Sequence, residues 1–257
     1  MDNGVEIRLN PTNVAEVIAA FTLPMLDRQM NCHISTTKFI WDDGAKPSED
    51  GFTRQCSFCM RGNTAGFIED LRGMKLELEG TNGERKARLA TMAGGIDINF
   101  FESLNDHLSY SNLNLQSAGD KTPVDRIEKY FHAFREVLRD SKLPLLFSVP
   151  AELPNFNYLS GYNMFGEKRR ALYASDFLSM VGLCLLRHSL GRQINNYPRP
   201  SKAMDGHALE LRYYLWRDWV SYPIGLAFMT GNRPAGVGNW PITVMAKKHD
   251  QNNWFFK

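Results

Sequence analysis

Five alternating residues, Val5-Glu6-Ile7-Arg8-Leu9, run into Asn10-Pro11-Thr12-Asn13 and then into an apolar pattern of a different period. Val5, Ile7 and Leu9 fall on one side of an extended chain and Glu6 and Arg8 on the other, the period of two of a half-buried strand. Val14, Val17, Ile18, Phe21 and Met25 recur instead at the spacing of a helix with one apolar stripe. Pro11 breaks the first pattern, and Thr12 or Asn13 can accept from the unbonded N–H groups of the first helical turn. A strand, a tight link and a helix therefore open the chain. Pro24 is expected to kink the helix or end its regular part.

Strand alternation returns at residues 33–41, where Ile34 and Ile40 fall on one face. It returns again at residues 75–79, closed by the turn residues Asn82-Gly83, and at residues 85–101. The first third reads as α+β around an N-terminal antiparallel sheet with helices. Residues 116–123 are polar with Gly119 and Pro123, which makes them the candidate boundary. An α+β N-terminal region over 1–120 and a helix-rich basic region with C-terminal strands over 121–257 follow, one continuous domain being the alternative. Val124, Ile127, Phe131, Phe134 and Leu138 form the apolar stripe of a helix over 123–142. A second helical run spans 167–190 and stops at Gly191, a C-cap residue type. Residues 209–219 fit strand or helix equally, and 241–246 and 254–256 look like strands.

The chain has 257 residues and a net charge of only +2, too little to announce a nucleic-acid partner by itself. Its distribution says more, because residues 121–202 carry 13 Lys and Arg against 7 Asp and Glu. No apolar run approaches the roughly 18 residues needed to span a bilayer, and the N-terminus lacks the basic start of a secretory signal. Four cysteines without a repeating framework fit a reducing cytoplasm. A soluble cytoplasmic protein with no membrane contact is the expectation.

Catalytic motifs are missing from the sequence: it has no phosphate-binding glycine loop, no nucleophile elbow, no H-E-x-x-H and no dinucleotide fingerprint. Cys32-His33 with Cys56-Ser57-Phe58-Cys59 supplies four residue types that bind zinc, the second pair as a C-x-x-C turn. Adjacent side chains diverge, however, and free thiols are the preferred reading, with no metal and no cofactor expected. Asp97, Asn99, Glu102 and Asp106 invite comparison with a nuclease centre, but proximity in sequence does not make ligands converge. His132, His188 and Cys184 read as structural residues within helices.

The most informative polar stretch is residues 157–173, NYLSGYNMFGEKRRALY. Lys168, Arg169 and Arg170 stand at a helix start beside Tyr162 and Phe165, and Gly161 and Gly166 allow close approach of a backbone. Cations neutralise phosphates and aromatic faces stack on unpaired bases, so this composition suits a nucleic-acid surface. Three cations at a helix N-terminus also oppose the macrodipole, a cost that a bound polyanion relieves. Arg187, Arg192, Arg199 and Lys202 extend the track.

Ile7 to Asn13 (IRLNPTN), Ala19-Ala20-Phe21, Leu26-Asp27-Arg28 and residues 211–231 (LRYYLWRDWVSYPIGLAFMTG) together resemble the CRISPR-associated Csb-type proteins of type I-G loci, formerly I-U. The segment NMFGEKRRAL takes the place of that family's basic, glycine-containing stretch. The resemblance implies a subunit of the large-subunit group in a Cascade-type effector complex. Its partners would be guide RNA, target DNA, other subunits and a recruited helicase-nuclease. Guide pairing reads sequence in such complexes while protein supplies backbone and shape contacts, so no catalytic residue is required. Two alternatives stay open. One is an endoribonuclease that processes the guide precursor with His33 or His107 and nearby lysines as acid and base. The other is a structural adaptor whose Trp216, Trp219 and Trp240 make only protein contacts.

Overall fold

The computed structural model describes residues 4–9, 11, 14–41, 56–79, 86–91, 94–98, 123–140, 177–179, 181–182, 185–186, 208–248 and 254–256. The alternating opening forms strand β1 (Val5–Leu9), and the helical pattern forms α1 (Val14–Arg28). Strands β2 (Ile34–Trp41) and β3 (Cys56–Gly62) complete a three-stranded antiparallel sheet in the order β1-β3-β2. β1 and β2 run the same way with β3 between them, and α1 makes the connection: a split β-α-β unit.

Helix α1 continues past Pro24 to Arg28, so the proline does not end it. Residues on every side of this stretch are buried, among them Phe21, Leu23, Met25 and Leu26. Packing of that apolar surface outweighs the loss of one main-chain hydrogen bond, about 3 kcal/mol for an interior proline. The expectation that Ile34 and Ile40 share a face also needs correction. A bulge between Ile34 and Thr36 breaks the alternation, so Ile34 packs partly against the core while Ile40 is 41% exposed.

Helix α2 (Thr64–Gly73) follows β3 directly, with Asn63 as its cap: Asn63 Oδ1 accepts from Gly66 N–H at 3.1 Å. The expected strand at 75–79 is β4 (Lys75–Glu79). The alternation read over 85–101 divides into two strands, β5 (Lys86–Thr91) and β6 (Gly94–Ile98), in a second antiparallel sheet of order β4-β5-β6. Gly94, at φ 149°, begins the return strand in a conformation that side chains rarely adopt.

The long amphipathic pattern forms α3 (Pro123–Asp140). Phe131, Phe134 and Leu138 of its expected stripe are buried, together with Tyr130. Phe131 and Phe134 meet Phe177 at ring-centroid distances of 5.4 and 5.0 Å, and Arg72 Nε donates to the Leu138 carbonyl at 3.0 Å, fixing α3 to α2. Helical residues at 177–179, 181–182 and 185–186 lie against α1, where a side chain at Gly182 would overlap Thr22 Oγ1.

Residues 209–219, which fitted two secondary structures, resolve as strand β7 (Ala208–Trp216). Helix α4 (Tyr222–Met229), β8 (Asn239–Lys248) and β9 (Trp254–Phe256) follow, and the strands form an antiparallel sheet in the order β7-β8-β9. Trp216 sits fully buried against Phe21, Phe39, Phe58 and Phe228, with centroid distances of 5.4, 4.9, 6.3 and 5.8 Å. Gly225 of α4 lies on the same indole, where a Cβ would come within 3.1 Å of Trp216 Cζ2. Tyr213 closes the other end, its hydroxyl donating to the Pro11 carbonyl at 2.6 Å in full burial. The fold is thus mixed helix and strand, with an antiparallel sheet at the N-terminus whose inner face is sealed by elements from both ends of the chain. No helix among the described residues is long and apolar enough to cross a membrane.

Candidate functional site

The sheet β1-β3-β2 has two chemically distinct faces. Ile7, Leu9, Phe39, Cys56, Phe58 and Met60 point into the core, so the alternate residues Glu6, Arg8, Lys38, Ile40, Ser57, Cys59 and Arg61 point the other way. The register sets Glu6, Cys59 and Lys38 in one row and Arg8, Ser57 and Ile40 in the next. On the middle strand Ser57 and Cys59 are short and Arg61, near its end, is long, while Glu6, Arg8, Lys38 and Ile40 stand on the flanking strands. Ser57 and Cys59 are buried at 1% and 7%, while Glu6, Arg8, Ile40 and Arg61 are exposed. The short β3 residues are thus covered, and charged and aliphatic side chains make up the exposed part of this face.

Trp219 lies at one end of this face. The chain leaves β7 at Trp216 and returns to the edge of β2, where Val220 N–H and Thr37 C=O, and Thr37 N–H and Val220 C=O, bond at 3.0 and 2.9 Å. Val220 is buried, and its half-buried neighbour Trp219 lies over the outward face. The Arg61 guanidinium carbon is 3.8 Å from the Trp219 ring centroid and the Lys38 ammonium 4.9 Å. Two cations on one indole are held by the negative ring face. Stacking leaves a guanidinium's N–H donors unused, because they all lie in its plane. Among the described residues neither Lys38 nor Arg61 has an ion pair.

Glu6 is the acid of this face among the described residues, and its carboxylate accepts from Ser57 Oγ–H at 2.6 Å while Arg8 donates to the same Oγ at 3.3 Å. Among the described residues this face carries three cations, Arg8, Lys38 and Arg61, and one carboxylate, Glu6. Burial pushes the Cys59 thiol up to about 11, with Glu6 adding to the shift and Lys38 and Arg61 opposing it. The thiol stays protonated at neutral pH and is therefore a poor nucleophile.

The residues weighed for zinc do not gather. The C-x-x-C segment lies within β3 rather than in a turn, which sends Cys56 to the core face and Cys59 to the outward face. Among the described residues no group of three His, Cys, Asp or Glu is placed to hold a metal ion.

His33 belongs to a second polar cluster, at the junction of α1, β2 and α2. Asp27 is 2% exposed, and its two carboxylate oxygens accept the N–H groups of His33 and Ile34 at 2.8 and 2.7 Å. Burial raises its pKa, and those two N–H bonds and the His33 charge pull it back. His33 Nε2 lies 3.0 Å from Asp70 Oδ2, which also accepts from Asn31 Nδ2 at 2.6 Å. Gly62, at φ 142°, passes so close to the His33 carbonyl that any Cβ would overlap it. This cluster ties three elements together and holds His33 beside a carboxylate. Sequence reasoning did not foresee Asp70 as its partner, since 37 residues separate them.

Lys168, Arg169, Arg170, Arg187, Arg192, Arg199, Lys202, Tyr162 and Phe165 lie outside the described residues, as do His107, His188, Cys184, Asn99, Glu102 and Asp106. Asp97 is the register partner of Arg88 across β5 and β6. Trp216 belongs to the core and Trp219 to the outward face. Trp240 packs on Trp41 at 5.4 Å with Arg217 5.1 Å from its ring. Comparison with protein families, curated proteins and solved structures finds no match to this chain.

Proposed function

We propose that this chain is a non-catalytic nucleic-acid-binding subunit of a CRISPR interference ribonucleoprotein of the Cascade type, contacting guide RNA or opened target DNA. The observation that supports binding is the pair of cations, Lys38 and Arg61, mounted on Trp219 over an outward sheet face. Cations beside an aromatic plane are the chemistry that phosphates and unpaired bases require. Membership of a CRISPR assembly rests on the sequence resemblance alone, and with it come the other subunits, the recruited helicase-nuclease and a cytoplasmic location. The helix-rich second half rests on the periodicity of residues 123–142 and 167–190. Lys168, Arg169 and Arg170 remain the proposed phosphate contacts of that half, with Arg187, Arg192, Arg199 and Lys202 beside them.

Titrating the purified protein with labelled guide RNA and with single-stranded target DNA at rising salt tests the binding reading. Binding that weakens linearly in log salt supports it; no binding at low salt, alone or in the assembled complex, overturns it. Guide-precursor processing is the second reading, favoured by the contact between His33 Nε2 and Asp70 at 3.0 Å. An imidazole oriented by a carboxylate is a general base of the usual kind. Specific cleavage of repeat RNA, abolished by His33→Ala, would establish it in place of the binding-only reading.

A further inference from the structure

We infer that the junction of α1, β2 and α2 is a proton-operated latch, in which the charge on His33 decides whether Asn63 can cap α2. This goes beyond the binding reading and does not depend on it. The Asn63 amide oxygen accepts from the Gly66 main-chain N–H at 3.1 Å, a donor that only an oxygen can satisfy, so Nδ2 is the atom 3.5 Å from His33 Nδ1. On the other edge of the ring, His33 Nε2 stands 3.0 Å from Asp70 Oδ2, which also accepts from Asn31 Nδ2 at 2.6 Å. A carboxylate only accepts, so Nε2 carries the hydrogen of the neutral ring. The lone pair at Nδ1 then faces the Asn63 N–H.

Protonating His33 adds an N–H at Nδ1, and two donors then face each other across 3.5 Å. Turning the Asn63 amide over relieves the conflict: its oxygen goes to the imidazolium, and Gly66 N–H loses its acceptor. A Cβ at Gly66 would stand 2.6 Å from Asn63 Nδ2 and 2.8 Å from His33 Cε1, so both side chains rest directly on the first turn of α2. A positive ring there is also opposed by the helix macrodipole. The charged groups facing His33 among the described residues are Asp70 from α2 and Asp27 from the end of α1, while β3 meets it with the main chain of Gly62. Arg28 and Cys32 turn to each other, Nη1 3.3 Å from Sγ. Two carboxylates thus attract the charged ring and the capping amide repels it. The His33 side chain is 20% exposed, so a proton reaches it without unfolding. Beyond the first turn α2 is anchored by buried Phe67 and Leu71 and by the Arg72 bond to the Leu138 carbonyl, which confines the release to residues 64–66.

The test titrates the full chain, labelled with nitrogen-15, from about pH 8 to about pH 5, the range in which histidines ordinarily change charge. Ring nitrogen shifts report His33. Solvent exchange of the Gly66 amide, corrected for its intrinsic dependence on pH, reports the cap. In wild type Gly66 should exchange about fivefold faster in the acid form, the equilibrium equivalent of one lost helix cap, with the midpoint of the His33 ring itself. Asn63→Asp supplies one oxygen for each donor and should keep Gly66 protected throughout. His33→Gln should abolish the change while leaving Asp27 free to titrate. Gly66 exchange that stays level while His33 titrates overturns the latch, and so does a ring that keeps one charge state across the range. Equal acceleration in folded Asn63→Asp overturns it as well. If Asn63→Asp does not fold, the comparison of wild type with His33→Gln decides, since a change that persists without the imidazole belongs to another group.

Discussion

The indole N–H of Trp216, at the end of β7, donates to the main-chain carbonyl of Thr37 in β2 at 2.9 Å, across 179 residues of chain. Thr37 C=O also accepts from Val220 N–H at 3.0 Å, so one carbonyl holds both the indole and the returning strand edge. That arrangement closes the inner face of the first sheet and carries Trp219 to the outer one.

Trp216→Ala should lose about 3–5 kcal/mol of unfolding free energy in chemical denaturation, the cost of emptying a site lined by four aromatic rings. Trp216→Phe should cost about 1 kcal/mol for its polar part, because Val220 still satisfies the Thr37 carbonyl. Equal losses for the two variants would show that filling the site counts for nothing.

Thr37 is 1% exposed, and its hydroxyl has no hydrogen-bond partner among the described residues. Thr37→Val keeps the shape and removes the stranded hydroxyl, so it should stabilise the protein by about 1 kcal/mol. A melting temperature below wild type would mean that the hydroxyl is satisfied after all.

Burial raises the Asp27 pKa above its ordinary 3.8. The folded state then binds the proton more tightly than the unfolded chain, so ionising Asp27 costs stability as pH climbs from 3.8 through the folded value. Asp27→Asn removes this titration. The difference in unfolding free energy, wild type minus variant, should fall as pH rises across that window and level off above it. A difference that climbs with pH would reverse the assigned direction.

Cys32 is exposed, at φ 56°, while Cys56 and Cys59 are buried. Iodoacetamide at neutral pH should label Cys32 well before Cys59, whose thiol ionises only near 11. Mass spectrometry of the native protein follows the order. Cys59 reacting as fast as Cys32 would contradict its burial.

Much of the local structure is legible in the chain. β1, α1, β4 and α3 follow from period and capping alone, because each needs only its own residues to choose strand or helix. β3 and α2 escaped that reading. Cys56-Ser57-Phe58-Cys59 has no clean alternation, since both Ser57 and Cys59 are small enough to be buried on the face away from the core. The division of residues 85–101 into β5 and β6 was equally hidden, as each half alternates by itself.

What the sequence determined by itself is a set of elements and their apolar sides: an alternating strand, a helix that follows it and an amphipathic helix near the middle. Burial of those sides requires some core but does not say which partner supplies it. Tertiary structure decided that Trp216 fills the first sheet, that Pro24 sits inside a helix, and that His33 meets Asp70. It also decided that Lys38 and Arg61, 23 positions apart, share one indole. These pairings depend on strand order and register, and no local pattern encodes either, because they are fixed by contacts between segments far apart in the chain.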